Sequence, residues 1–208
     1  MSERGGETGE SALTGTSLGD DRGDVIDEWS IAHIVTTMLP LLAAMSLLQM
    51  GSGSVLETFE AELLVNPSLL VLVPVQIGTA GNLGSIMCSR LSTQLHLGTF
   101  ELDPGNPDLR ANIGAVIGLA ATVFVLVGLV AWTIGQVLGG SLALWKVMAI
   151  SLISGMTLAA WVIVLSVVAI WASYRLGYNP DDTTIPVVTN VADVTGVFIL
   201  FAVVIAVL

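Results

Sequence analysis

Asp193 is the only acidic or basic side chain within residues 183–208, a stretch otherwise apolar enough to cross a bilayer. A carboxylate near the middle of a membrane costs about 2.5 to 3.5 kcal/mol even on insertion scales, so it is kept where it faces water, a cation or a polar partner. The chemistry such a group offers is cation binding. On a helix starting near Thr183, Asp193 is ten residues in, about 15 Å deep at the helical rise and so close to the midplane. Thr189, Asn190 and Gly196, at i−4, i−3 and i+3, share its face, and Pro186 lies one turn further back. The competing reading is an ion pair with a base on another helix. His33 and Lys146 both lie near segment ends, however, and no base sits at the same depth.

A second group of small and polar residues runs from Gly78 through Thr79, Ala80, Gly81, Asn82, Leu83 and Gly84 to Ser85. Small residues let helix backbones approach closely, and Asn82 puts an amide into hydrocarbon. Counting back from Arg90 as the membrane surface, Asn82 is eight residues in, about 12 Å, nearly the depth of Asp193. Gly81 and Gly84 are read as pathway positions beside Asn82, Asp193, Thr189 and Asn190; the plainer alternative is that the glycines only pack one helix on another. Two polar features at one depth on separate helices favour a lined cavity.

Five uncharged or nearly uncharged stretches supply the elements that position these residues: 29–56, 63–89, 111–145, 147–174 and 183–208. Gly135, Gly139, Gly140 and Ser141 mark a turn that ends the third helix near Ile134, with the fourth beginning around Leu142. The expected fold is an all-α integral membrane protein of five transmembrane helices. Arg90, Arg110 and Arg175 fall on one side of it, and Glu57, Glu60 and Glu62 on the other. The positive-inside bias then puts the N-terminus inside and the C-terminus outside. Trp29, Trp132, Trp145 and Trp171 suit the aromatic belts, whereas Trp161 reads as a packing residue in mid-helix. Pro40, Pro74 and Pro186 predict kinks that free backbone carbonyls. Residues 1–28 carry eight acids, two Arg and six Gly without apolar periodicity, which reads as a disordered acidic tail preceding a transport domain over 29–208. The opening also lacks the basic start and apolar core of a secretory signal peptide.

Composition agrees. Of 208 residues 54% are apolar and 11% charged, with a mean hydropathy of +0.87, values that exclude an ordinary soluble enzyme. The net charge of −11 argues against nucleic acid and anionic lipid surfaces as partners, since both demand clustered Lys and Arg. Cys88 is a lone thiol in an apolar stretch and reads as packing; His33 and His96 are isolated, and Asp181 and Asp182 read as helix-start acids. No HExxH motif or Ser/Cys–His pairing at one depth is present, which argues against intramembrane catalysis.

Leu72-Val73-Pro74 leading to Gly81-Asn82-Leu83, then Ser89-Arg90-Leu91-Ser92-Thr93, and Ile185-Pro186-Val187-Val188-Thr189 leading to Asp193 resemble the membrane domain of the MgtE magnesium channels and of solute carrier family 41. The resemblance covers about residues 29–208 and implies five helices around a pore at a dimer axis lined by the second and fifth. It implies that Asp193 binds the transported Mg²⁺ and that Asn82 faces the pore. Ile86 stands where the family usually carries a glutamine, and no stretch of the sequence resembles the family's magnesium-sensing and CBS regions. A single repeat with a single Asp193 implies a homodimer, or a heterodimer with a related half-subunit, in the lipid bilayer of the cell membrane. Alternative readings are a proton- or sodium-coupled divalent cation carrier and a non-conducting half of a heteromer.

Overall fold

Three helices open on the same local chemistry, an asparagine followed by proline: Asn66-Pro67, Asn106-Pro107 and Asn179-Pro180. Proline is pre-set for the first helical position, where its missing N–H costs nothing. The side chains of Asn106 and Asn179 accept from the backbone N–H of Asp108 and Asp181, at 2.8 and 3.1 Å, which satisfies donors the helix leaves orphaned. At the other ends, Gly98, Gly139 and Gly177 take positive φ of 68°, 85° and 73°, the left-handed conformation that stops a helix and that glycine adopts without strain.

In the computed structural model, residues 31–99 and 105–208 are described; the acidic tail and Trp29 lie outside the described residues. The described chain is helical throughout, with α1 Ile31–Thr58, α2 Glu60–Val65, α3 Pro67–His96, α4 Pro107–Val137, α5 Leu144–Leu176 and α6 Pro180–Val207. Five of these, all but α2, are long and apolar enough to cross a membrane. The protein is thus an all-α, five-span protein of the kind the hydropathy pattern predicts. Pro40 lies inside α1, and Leu41–Leu208 form one compact unit.

Within this unit α3 and α5 are central. Each packs on the other, α4 flanks both on one side and α6 on the other. One cluster, including Leu83, Met87, Val116, Phe124 and Ala159, fills the space between α3, α4 and α5. Another, including Ala80, Cys88, Leu158, Val162, Val188 and Ala192, fills that between α3, α5 and α6. Cys88 is indeed a buried packing residue. Without hydrophobic drive between helices in lipid, such interfaces depend on close fit. Gly155 shows how close: a Cβ there would stand 2.3 Å from the ring of buried Phe124.

The boundaries differ from expectation in ways the side chains explain. The second span starts at Pro67, not Leu63, because residues 60–65 form the separate helix α2. It then runs past Arg90 to His96, so Arg90 is not at a loop edge but inside α3, where its Nε donates to Oδ1 of buried Asn112 on α4. His96 ends α3, its Nδ1 2.9 Å from the Ser92 carbonyl. The last span begins at Pro180 instead of Thr183. Trp161 does not pack in the interior; it is 40% exposed on the outer face of α5. α4 runs past Ile134 and Gly135 to Val137 and α5 begins at Leu144, so the turn falls at Gly139, Gly140 and Ser141, pinned by Trp132 Nε1 and Gln136 Nε2, which donate to the Leu142 carbonyl at 3.2 and 3.1 Å.

Candidate cation site

Asp193 lies thirteen residues after Pro180 and fourteen before Val207, midway along α6 and therefore about 20 Å from either end. It is half-buried. Gly81 on α3 makes room for it: a Cβ at Gly81 would come within 3.2 Å of Oδ1 and 3.9 Å of Thr189 Cβ. Asp193, Thr189 and Gly81 are therefore brought together, and the two helices that carry them run antiparallel. Their contacts pass from Ile77 beside Gly196, through Gly81 beside Asp193 and Gly84 beside Val188, to a hydrogen bond from Ser92 Oγ to Asp181 Oδ1.

The remaining sequence-derived positions divide. Gly84 serves the helix interface, since a Cβ there would lie 2.8 Å from Val188 and 3.2 Å from Val162. The Asn190 amide turns back onto its own helix and donates to the Pro186 carbonyl at 2.7 Å, while Thr189 Oγ1 donates to the Ile185 carbonyl at 2.9 Å. These bonds gather polar side chains around the carbonyls beside the proline. Asn82, although adjacent to Gly81, faces outward from the chain's own bundle and is exposed, with no hydrogen-bond partner among the described residues. With Pro74 and Gly78 it forms an exposed row at four-residue spacing on α3.

Sequence reasoning missed two polar side chains. Gln49 on α1 donates from Nε2 to Asp193 Oδ2 at 3.0 Å. Gln76, wholly buried on α3, donates to the Ser151 carbonyl at 3.3 Å and to Ser154 Oγ on α5. No sequence signal singles out Gln49; in the structure it and Ser52, three residues on, are among the half-buried positions of an otherwise exposed helix. Gln76 sits between Pro74 and the small-residue run that starts at Gly78.

Around Asp193 the chemistry is that of a single carboxylate facing neutral partners. Among the described residues no three or more His, Cys, Asp or Glu side chains cluster as a metal-holding group. One carboxylate with amides and hydroxyls nearby suits a hard cation that keeps most of its water, as Mg²⁺ does.

Comparison with known proteins agrees with this chemistry. Residues 73–203 match the MgtE family, described as divalent cation transporters. The chain is also 28% identical over 187 residues to solute carrier family 41 member 2 of Xenopus laevis, an alignment covering 83% of this chain and 32% of that protein. The chain thus spans about a third of that relative's length. The matched region includes Gly81, Asn82, Asp193 and most of both helices that carry them, and the chain belongs to the MgtE family of divalent cation transporters.

Proposed function

We infer that the chain conducts Mg²⁺ across the cell membrane, through a pathway at the axis of a homodimer lined by α3 and α6 of each subunit. The observation that carries this reading is the position of Asp193, halfway along a membrane-spanning helix, beside a glycine notch and without a basic partner among the described residues. A carboxylate is maintained at that depth by water or a cation. Two copies related by a twofold axis would bring two such carboxylates to one level. Neither stays comfortably ionised without a cation between them, which favours a divalent over a monovalent ion.

Two further features support the dimer. A single carboxylate per chain cannot make a ring, and the exposed Asn82 puts a polar amide on a face that its own bundle does not cover. In a bilayer such an amide is best accommodated by water or by a second copy. In this arrangement Mg²⁺ contacts Asp193 while retaining several waters, and Asn82 and Thr189 receive hydrogen bonds from or donate them to that water shell. Gly81 keeps the α3 backbone out of the way of the carboxylate.

The test is flux. Asp193→Asn removes the charge and preserves the shape, so it abolishes divalent entry into proteoliposomes while the dimer still assembles. Unchanged flux in that variant would remove Asp193 from the pathway. Flux that follows an imposed pH or sodium gradient would convert the channel into a coupled carrier.

A further inference from the structure

Each oxygen of the half-buried Asp193 carboxylate has a neighbour. Oδ1 points at the backbone notch of Gly81, and Oδ2 accepts from Gln49 Nε2 at 3.0 Å. Within Leu41–Leu208, the first span is bound lightly: the exposed residues dominate it, and its core contacts lie at the far end, where Val55, Leu56 and Phe59 meet the cluster containing Leu72, Leu200 and Phe201. Phe59 stacks on Phe201 with ring centroids 4.0 Å apart. From that anchor, the Gln49 amide reaches Asp193 about two turns back along α1.

The geometry points to Gln49 as a latch on the cation site, a neutral placeholder that occupies the ion-binding oxygen of Asp193 until a divalent cation displaces it. This inference rests on the reading of Asp193 as the ion ligand. A carboxylate only accepts hydrogen bonds, so the face that Gln49 presents is its NH₂ donor. The amide N–H holds one of the two lone pairs of Oδ2, and a metal ion that takes that lone pair displaces it. An unladen carboxylate in hydrocarbon is costly, whereas a hydrogen bond to a charged group is stronger than one between neutral groups. Gln49 therefore stabilises the empty site and sets the cation concentration needed to fill it. Because α1 is otherwise lightly packed in this region, the amide can withdraw without breaking the bundle core.

The experiment compares wild type, Gln49→Met, Gln49→Asn and Asp193→Asn in the full-length protein. Met keeps the length of Gln and lacks the donor; Asn keeps the donor but is one methylene too short, which guards against a Met variant that does not fold. Two readouts are taken: the Mg²⁺ concentration giving half-maximal flux in proteoliposomes, and that giving half-maximal thermal stabilisation in detergent. A latch predicts that both Gln49 variants lower both midpoints by between about threefold and tenfold, the range expected for losing a competing hydrogen bond of this type. A purely structural role would lower the melting temperature without moving the Mg²⁺ midpoint, and would overturn the inference. A raised midpoint would also overturn it, making Gln49 a ligand instead of a competitor. If Asp193→Asn retains the wild-type Mg²⁺ stabilisation, the ion-ligand reading and the latch fall together. If that variant loses it while Gln49→Met and Gln49→Asn leave the midpoint unchanged, only the latch falls.

Discussion

Two adjacent residues on α3 do different work, and substitution separates them. Gly81 faces Asp193 and Thr189 inside the chain, and Asn82 faces away from the bundle. A methyl at Gly81 would sit 3.2 Å from Oδ1, closer than ordinary van der Waals contact, so Gly81→Ala is expected to slow divalent flux and Gly81→Val to stop it. The check is initial Mg²⁺ entry at equal protein density; undiminished flux in the valine variant would show that the notch is not needed. Asn82→Leu, which removes an amide from the proposed water-lined face, is expected to reduce flux less severely than Asp193→Asn. A loss confined to protein yield would make Asn82 a packing residue. At this scale the sequence was most informative about Asp193, because a charge in a crossing segment is conspicuous in one dimension. The partner of that charge was not legible. Gln49 lies 144 residues away, and only the folding of α1 beside α6 brings its amide to Oδ2.

Between elements, what decides stability is how closely backbones approach. Phe124 on α4 is fully buried against Gly155 on α5, and a Cβ at 2.3 Å from its ring cannot be accommodated without displacing the helix. Gly155→Ala is therefore expected to destabilise the bundle by about 1 to 3 kcal/mol, the usual range for overpacking a filled core, read as a fall in melting temperature in detergent. No change would mean that α4 and α5 slide freely. Gln76 is the polar counterpart, joining α3 to α5 through the Ser151 carbonyl and Ser154. Its replacement by leucine should cost about 0.6 kcal/mol, the average for hydrogen bonds between membrane helices. Element identities and the α4–α5 turn were legible from hydropathy and glycine. Exact ends were not, because Arg90 and His96 belong to a helix that outlasts its apolar stretch, stabilised by side-chain pairings such as that of Arg90 with Asn112. The outward placement of Trp161 was equally hidden, since mid-helix depth says nothing about which face a residue occupies.

For the molecule as a whole, five helices long and apolar enough to cross a bilayer and membership in the MgtE family make this a multi-pass membrane protein. The proposed homodimer would place the exposed row of α3 toward a second copy. In a Cys88→Ala background, a cysteine introduced as Asn82→Cys should cross-link to its counterpart with a short bifunctional reagent, whereas Val164→Cys, on the exposed face of α5, should not. Equal labelling of both, or cross-linking at Val164 alone, would put the axis elsewhere. Family and fold class were readable in the order and spacing of the α3 and α6 motifs. The antiparallel meeting of those two helices at Gly81 and Asp193 requires the folded chain. The most direct test of the whole account is Mg²⁺ entry into proteoliposomes holding the purified protein, followed with a trapped magnesium-sensitive dye and run beside Asp193→Asn. The account predicts entry in the wild type and none in the variant, with both eluting as dimers; equal entry in the two would contradict it.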